Sequence, residues 1–407
     1  MSKFDKHFRM NEQDAIEYVL EKLDFFDDNA ELQSKEIGDG NINYVFKVWD
    51  KNTNKSIIIK HADTVLRSSG RALDVNRNKI EAMVLMQQEK LAPNLVPKIY
   101  KYDSVMCILA MEDVSAYHNL RTELLKRNTF QTLAEDITTF LVNTLLPTTD
   151  LVMDSGEKKD QVKEYINKDL CKISEDLVFT EPYIDYKGRN IILKENFEFV
   201  KEVLYDDENL ILEVGKLKNN FMNNAQALVH GDLHSGSIFA NETGIKVLDP
   251  EFAFYGPMGY DVGNVIGNLF FAWAHAYVAD VDKDEELNKK EFLDWLSRTI
   301  EEIVDLFIYK FNNLYKEIVT DEMAKKDYYR KWYLDSVLAD SAGSAGLEII
   351  RRVVGDSKVA DVTTIEDIDK RVKAERLLIN IGKEMIISRN NIKNGKDFID
   401  ILKKHLV

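Results

Sequence analysis

The chain has 407 residues, of which 45% are hydrophobic and 30% are charged, a composition typical of a globular protein with one large or two moderate domains. Its formal net charge of −16 disfavours nucleic acid and anionic membrane as partners, because binding to either relies on a surplus of Lys and Arg. Only six prolines and no low-complexity run argue against long disordered linkers.

Cysteine usage and the first residues bear on the cellular compartment. The two cysteines, Cys107 and Cys171, have no metal-like spacing, so we interpret both as reduced structural thiols. The first 15 residues lack the apolar segment of a signal peptide. We therefore expect a cytoplasmic protein.

The first hundred residues predict a β-rich region that also contains two helices. Apolar residues at helical spacing indicate the helices, and alternating apolar residues bounded by turn signals indicate the strands. The predicted helices are at about 12–26 and 72–89, and the predicted strands are at about 35–37, 42–48, 56–60, 98–102 and 106–111.

The turn between the first two strands is rich in glycine and asparagine. It carries Gly38, Gly40, Asn41 and Asn43. Backbone amides of such a turn can approach phosphate oxygens, and Asn side chains can add donors. By itself the turn is a weak signal, since most such turns bind nothing. No GxxxxGK[ST] motif occurs in the chain, which excludes the P-loop route to ATP.

A lysine and a glutamate strengthen the interpretation of this turn. Lys60 ends the third strand, and Glu81 lies on the helix that follows. A strand lysine that is held by a helix glutamate and directed at nucleotide phosphates is a device of kinases. A lysine at a strand end is, taken alone, more often a solvated edge residue. The order of turn, lysine and glutamate favours the functional interpretation.

Three acids accompany a predicted hairpin within residues 228–261. Asp232 lies in the HGDLH turn after an apolar strand, and Asp249 and Glu251 follow the return strand. One carboxylate can orient or deprotonate an attacking hydroxyl, while two others hold Mg²⁺ against nucleotide phosphates. Because residues i and i+2 of an extended segment share one face, we expect Asp249 and Glu251 to reach the same cation. The alternative is a hairpin whose acids only cap turns.

The rest of the chain is predicted to be largely helical. Predicted helices cover 130–144, 158–172, 196–219, 262–278, 289–314, 324–352 and 371–389. We expect the sixth to break at Gly343 and Gly346. The uncharged stretch 262–279 is long enough to span a bilayer and contains Gly263 and Gly267 in a GxxxG motif. Polar residues interrupt it and no basic cluster flanks it, so we expect a buried helix instead.

Two segments carry a family resemblance. HGDLHSGSIF and DPEFAFYGPMGYDVGN resemble the catalytic and metal segments of aminoglycoside phosphotransferases and choline kinases, and within that group they are most similar to the 5-methylthioribose kinase family. Two positions depart from the wider group. Ser237 stands where those kinases usually place a metal-binding Asn, and Asp249-Pro250-Glu251 replaces a D-F-G-like triplet.

The resemblance implies an α+β, bilobal protein-kinase-like fold, with a small antiparallel-sheet N-terminal lobe at residues 1–113 and a large, mostly α-helical C-terminal lobe at 114–407. It implies that Glu112, Asp113 and Val114 form the hinge whose backbone meets the adenine edge. Segment 68–78 lacks an expected Trp-Pro, which leaves the shape of the lid around 62–78 open. The other implied cofactor contacts are Gly38, Gly40, Asn41, Asn43, Lys60, Glu81, Ser237, Asp249, Pro250 and Glu251.

A third segment, GLEIIRRVVG, contains Arg351 and Arg352, and it is similar to the paired arginines through which methylthioribose kinases contact sugar hydroxyls. Adjacent helical residues point about 100° apart, so we expect one arginine to meet the substrate and the other to pair with a carboxylate. From the residues alone, both are solvated cations at a helix end. Asp261 either braces the catalytic loop, as in this fold, or caps the helix that follows.

The implied reaction transfers the γ-phosphate of ATP to the 1-hydroxyl of 5-(methylthio)ribose, a step of methionine salvage. Asp232 is then the base and a contact of the sugar, Asp249 and Glu251 hold Mg²⁺, and the family's assembly is a homodimer. Two alternatives stay open. One is another small-molecule kinase that acts on an aminoglycoside or choline, and the other is an inactive nucleotide-binding protein, for which Ser237 is the only hint.

Overall fold

The chain divides into two compact units, each of which has its own core. The computed structural model describes residues 2–37, 43–63, 76–282 and 285–406. The first unit comprises Met1–Tyr117 and Lys246–Glu251, and the second comprises His118–Ile245 and Phe252–Val407. The division at residue 113 stays a prediction. Gly38, Gly40 and Asn41 lie outside the described residues, as does most of the segment expected to form a lid.

The first unit is built on a five-stranded antiparallel sheet with the order β1-β2-β3-β5-β4. Its elements are α1 (Glu12–Lys22), β1 (Leu32–Glu36), β2 (Asn43–Asp50), β3 (Ser56–Ala62), α2 (Asn76–Leu91), β4 (Ile99–Asp103) and β5 (Ile108–Glu112). Ile57 and Ile59 of β3 belong to the hydrophobic core that includes Tyr18 and Val19 of α1. Because side chains alternate along a strand, Lys60 points to the opposite face of the sheet.

The second unit is mostly helical, with short strands near the HGDLH turn. Its elements are β6 (His118–Asn119), α3 (Leu120–Leu125), α4 (Leu133–Leu145), α5 (Ser155–Glu164), α6 (Lys168–Leu177), α7 (Phe197–Val200), α8 (Glu208–Asn223), β7 (Ala227–Val229), β8 (Ile238–Asn241), β9 (Gly244–Val247), β10 (Phe254–Gly256), α9 (Gly259–Val278), α10 (Glu286–Ile318), α11 (Asp327–Val354), α12 (Ala360–Thr363), α13 (Ile368–Ser388) and α14 (Gly395–His405). Strand β7 pairs antiparallel with β10, and a second small sheet has the order β6-β8-β9. The α+β fold class that the sequence predicted is confirmed.

Helices α9 and α11 approach each other closely at glycines of α9. A Cβ atom on Gly263 would lie 2.4 Å from the carbonyl oxygen of Ser341, and one on Gly267 would lie 2.9 Å from that of Ala345. The GxxxG motif is therefore a seam between two buried helices of the second unit. This agrees with the predicted buried helix, and no helix of the described residues is long and apolar enough to cross a membrane.

Some predicted helices differ from the observed ones. The predicted break at Gly343 and Gly346 is wrong, because α11 is continuous. Gly346 serves packing: a Cβ atom there would lie 2.3 Å from the carbonyl oxygen of Gly382 in α13. The single helix predicted at 158–172 is in fact α5 and α6, and a π-helical turn at Lys201–Tyr205 interrupts the one predicted at 196–219.

Three helices were not predicted: α3, α12 and α14. For α14 the chain does contain a signal, since Asn394 and Asp397 form a reciprocal capping box at its start. The two others have only six and four residues, and so few residues give no clear helical period.

Candidate active site

Four charged side chains of the first unit meet beside the sheet. The ammonium nitrogen of Lys60 donates hydrogen bonds to Oε1 of Glu81 at 2.6 Å and to Oδ1 of Asp249 at 2.5 Å. Lys60 is 5% exposed and Glu81 is buried, whereas the side chain of Asp249 is 48% exposed, so only the Lys60–Glu81 pair is fully buried. Glu251 interacts electrostatically with the same lysine. We call Lys60, Glu81, Asp249 and Glu251 the Lys60 cluster; all four were selected from the sequence.

The backbone at Asp249 differs from the expected extended segment. Asp249 has a φ of +63°, in the left-handed region that few residues other than glycine adopt. Pro250–Phe252 then forms a 3₁₀ turn, in which Pro250 is buried. The prediction that Asp249 and Glu251 share one face of an extended strand is therefore wrong. A turn brings both residues to Lys60 instead, and a strained backbone of this kind is common at functional sites.

Burial and the neighbouring charges set the pKa values of the Lys60 cluster, and Arg77 of α2 is a second cation that acts on Glu81 and Glu251. Burial raises the pKa of Glu251 to about 7, and the positive charges of Lys60 and Arg77 offset this only in part. Burial also raises the pKa of Glu81. For Lys60, burial would lower the pKa, but the charges of Asp249 and Glu81 outweigh it and raise the pKa. The cluster is therefore suited to an additional cation.

The predicted hinge residues use their side chains for local structure. Oε2 of Glu112 accepts hydrogen bonds from the ammonium of Lys246 at 2.9 Å and from the backbone amide of Lys98 at 3.0 Å. Asp113 accepts one from the hydroxyl of Ser56 at 2.6 Å and pairs with Lys47 at 2.7 Å. Any adenine contact at Glu112–Val114 would therefore come from the backbone.

Asn43, the one described residue of the Gly- and Asn-rich turn, is buried at the start of β2. Its side-chain oxygen accepts a hydrogen bond from Nη2 of Arg77 in α2 at 3.2 Å. The expected role of Asn43 as a donor to phosphate stays a prediction.

In the second unit, Asp261 holds the HGDLH turn. Its carboxylate accepts hydrogen bonds from the backbone amides of His230 at 2.6 Å and Gly231 at 3.0 Å. Asp261 thus braces the loop, and the alternative of a helix cap is wrong, because the cap position of α9 is Met258. Gly231 has a φ of +83°, and a Cβ atom there would lie 2.3 Å from the carbonyl oxygen of Phe252. Only glycine fits this turn.

Asp232 lies among cations of the second unit. Its Oδ1 accepts a hydrogen bond from Nη2 of Arg351 at 3.2 Å and lies 3.7 Å from Nη2 of Arg352. Its Oδ2 lies 3.4 Å from Nε2 of His234. Burial alone would raise the pKa of Asp232, but His234 and the two guanidiniums hold that pKa well below its usual range. Asp232 is therefore an ionised carboxylate at neutral pH.

The two arginines share one carboxylate, which sequence reasoning missed. Nε of Arg352 donates to Oε1 of Glu348 at 3.0 Å, and Nε of Arg351 donates to Oε2 of the same residue. The expectation that only one arginine would pair with a carboxylate is wrong, and so is the alternative of two solvated cations, because Arg351 is buried. Which arginine meets the substrate stays a prediction. Residues three and four positions after Glu348 lie on either side of it on the helix, so both long side chains reach it. We call Asp232, Glu348, Arg351 and Arg352 the Asp232 cluster.

Ser237 supports the loop from within. It is buried, and its hydroxyl donates a hydrogen bond to the backbone carbonyl of Asp232 at 3.2 Å. Its backbone amide donates to the carbonyl of His234 at 2.9 Å. A serine at this position therefore stabilises the turn that carries Asp232.

Comparisons with known proteins agree with the motifs. The Phosphotransferase enzyme family matches residues 164–296. The methylthioribose kinase of Geobacillus thermodenitrificans (strain NG80-2) is 36% identical over 395 residues, which cover 96% of this chain and 95% of that protein. That of Escherichia coli O45:K1 (strain S88 / ExPEC) is 36% identical over 387 residues, 92% of this chain and 91% of that protein. The chain belongs to the methylthioribose kinase family.

Solved structures of other small-molecule kinases are also similar. A choline kinase from Cryptosporidium parvum Iowa II has a TM-score of 0.49 and 13% sequence identity, with 93% of this chain and 99% of that chain covered. An ethanolamine kinase from Plasmodium vivax has a TM-score of 0.43 and 13% identity, with 96% and 87% covered.

Proposed function

We propose that this protein is an ATP-dependent kinase that phosphorylates the 1-hydroxyl of 5-(methylthio)ribose and gives the sugar 1-phosphate, a step of methionine salvage. The observation that carries the proposal is the identity of 36% over nearly the full length of methylthioribose kinases. The Asp232 cluster supports it independently, since it joins a low-pKa carboxylate to two guanidiniums.

The acceptor is assigned to the second unit. Asp232 orients the 1-hydroxyl and takes its proton as the bond to phosphorus forms, which suits a reaction whose catalysis is mainly positioning. Arg351 and Arg352 present planar sets of N–H donors that can bind vicinal hydroxyls. The Asp232 cluster has two carboxylates and two guanidiniums, so its charges balance. A balanced cluster favours a neutral sugar over a cationic aminoglycoside or choline.

The nucleotide phosphates and Mg²⁺ are assigned to the first unit, where Lys60 contacts phosphate and Glu81 positions Lys60. No group of three or more metal-binding side chains occurs among the described residues. Two carboxylates are nevertheless enough for Mg²⁺, which often takes its remaining ligands from water and phosphate. The raised pKa of Glu251 fits this role, because a cation would stabilise its ionised form. Mg²⁺ bound by Asp249 and Glu251 would neutralise charge on the phosphate oxygens.

The other predicted contacts complete the proposal. The Gly38–Asn43 turn would cover the phosphates, and the backbone of Glu112–Val114 would meet the adenine. Ser237 and Pro250 would act by shaping the two loops. The homodimer and the cytoplasmic location stay predictions.

A substrate panel tests the proposal. Purified protein is incubated with ATP and Mg²⁺ and with methylthioribose, choline or kanamycin, and ADP release and the ³¹P spectrum of the product are recorded. We expect a sugar 1-phosphate from methylthioribose and slower turnover of the two cations. Faster turnover of choline or kanamycin would support the other kinase class. ATP binding without turnover of any acceptor would support an inactive nucleotide-binding protein.

A further inference from the structure

A buried polar network continues from the Asp232 cluster into the second unit. Glu348, which binds both arginines, also accepts a hydrogen bond through Oε1 from the side-chain nitrogen of Asn268 in α9 at 3.2 Å. Asn268 is 2% exposed and Glu348 is 1% exposed. In such surroundings an unmade hydrogen bond is costly, so this contact fixes the carboxylate of Glu348.

Arg121 of α3 holds the other end of Asn268. Its Nη2 donates to the side-chain oxygen of Asn268 at 2.9 Å, and its Nε donates to the hydroxyl of Ser235 at 3.1 Å. The hydroxyl of Ser235 in turn donates to the same oxygen of Asn268 at 3.2 Å. Nε of Arg121 also lies 3.7 Å from Oδ2 of Asp361.

Asn119 and Arg121 also form hydrogen bonds to the backbone of the loop that carries Asp232. The backbone amide of Arg121 donates to the carbonyl of Ser235 at 3.2 Å, and the side chain of Asn119 donates to the carbonyl of Gly236 at 2.8 Å. Ser235 and Gly236 follow Asp232 by three and four residues. The guanidinium of Arg121 therefore links Ser235 of that loop to Asn268 of α9 by hydrogen bonds. Asn268 in turn links α9 to α11 by its hydrogen bond to Glu348.

We propose that Arg121 and Asn268 are positioning residues: they hold Glu348, and through Glu348 they orient the two guanidiniums that fix Asp232. This inference rests on the proposed function for the chemistry that Asp232 performs. The proposal adds that full activity requires Arg121 and Asn268, two residues that were not selected from the sequence. Neither of them needs to touch ATP, sugar or metal for the reaction to depend on it.

The sharpest test is Asn268→Asp, which replaces the nitrogen that donates to Glu348 with an oxygen. The new carboxylate can still accept from Arg121 and Ser235, but it repels Glu348. We expect kcat to fall on the order of 10- to 100-fold, since small errors in placing a catalytic group have effects of this size. The KM for ATP should stay within about 2-fold, because its proposed contacts lie elsewhere. Arg121→Lys is a milder variant that keeps the charge but loses the fork, and we expect the same split.

Asn220→Asp is the matched control. Asn220 in α8 also donates from its side-chain nitrogen to a carboxylate of α11, that of Asp340 at 2.7 Å, outside the Asp232 cluster. This variant should lose stability but keep kcat. All variants are compared with whichever acceptor the wild-type enzyme phosphorylates, so a wrong acceptor shows in the wild-type data and leaves this comparison intact.

A second measurement needs no turnover. The pKa of Asp232 is followed by NMR of protein labelled at the aspartate carboxyl carbons, with Asp232→Asn to assign the signal. The titratable and charged groups that act on Asp232 include His234, Arg351 and Arg352, then Glu348 and Arg121, and Tyr260 and Asp261 of α9. We expect this pKa to rise in Asn268→Asp and Arg121→Lys and to stay unchanged in Asn220→Asp. Unchanged kcat and pKa in both variants would overturn the proposal, as would an equal loss of kcat in the control.

Discussion

The Lys60 cluster and the Asp232 cluster both combine carboxylates with cationic side chains, but the pKa values of their carboxylates shift in opposite directions. The Lys60 cluster has three carboxylates and one lysine, and burial raises the pKa of Glu81 and of Glu251. The Asp232 cluster has two carboxylates and two arginines. There His234 and the two guanidiniums outweigh burial and lower the pKa of Asp232, and the two guanidiniums do the same for Glu348.

The difference indicates what each cluster lacks. A carboxylate whose pKa stays raised is one where burial outweighs the cations nearby, and a bound cation would add to them. A buried carboxylate with a lowered pKa already has its counterions. This difference supports the proposed assignment of the metal ion and nucleotide phosphates to the Lys60 cluster and of a neutral acceptor to the Asp232 cluster.

The largest expected effect comes from the carboxylate at the centre of the balanced cluster. Asp232→Asn keeps the shape but cannot accept a proton, so kcat should fall by about 10²- to 10⁴-fold. The KM for ATP should change little. Steady-state kinetics with methylthioribose checks this, with the exposed Asp327→Asn as a control. A variant with near-normal turnover would exclude Asp232 as the base.

Two Glu→Gln variants should change stability in opposite directions. Glu348→Gln leaves two buried guanidiniums without their shared carboxylate, and we expect a loss of about 3–5 kcal/mol in the free energy of unfolding. Glu251→Gln removes a carboxylate from a cluster that has too many. In EDTA at pH 8 it should gain on the order of 1 kcal/mol. Urea unfolding of both variants measures the difference, and changes of the same sign would refute the comparison.

Loss of a single arginine should weaken binding of the sugar. Arg351→Ala or Arg352→Ala removes a charged hydrogen-bond donor, and a loss of roughly 1.5–3 kcal/mol raises the KM for methylthioribose by about 10-fold or more. The KM for ATP should move much less. Because both guanidiniums lie near Asp232, we expect both variants to be affected. An unchanged sugar KM in the two variants would contradict the assignment of the acceptor.

The smallest effect is a pH dependence of the metal-free protein. The pKa of Glu251 is raised to about 7 in the folded protein from an ordinary value of 4.5. The folded chain therefore holds a proton that the unfolded chain releases between these values. The resulting stabilisation is complete below pH 4.5 and is lost as the pH rises through 7.

The melting temperature of wild type in EDTA, minus that of Glu251→Gln, should accordingly fall between pH 5 and 8. Adding Mg²⁺ should reverse this fall at pH 8, because a bound cation replaces the proton. If the difference in melting temperature is constant with pH, the pKa of Glu251 is not raised in the folded protein.

The sequence by itself determined the fold class, the family and the residues of the Lys60 cluster. These features are local patterns: the periods of strands and helices, the HGDLH turn and the spacing of the acids. A local pattern can be read from neighbouring residues of the sequence. Asp261 was also recognised, although two roles for it stayed open until the structure showed its contacts with the amides of His230 and Gly231.

Only the tertiary structure decided what surrounds Asp232. Glu348, Asn268 and Arg121 come from three helices far apart in the chain, and no local pattern links them. Glycines of α9 let α11 approach closely, which fixes where Glu348 and the arginines lie beside α9. The turn at Asp249 was missed for a similar reason: Lys60, the partner of its carboxylate, lies far away in the chain, so a run of neighbouring residues does not reveal the positive φ.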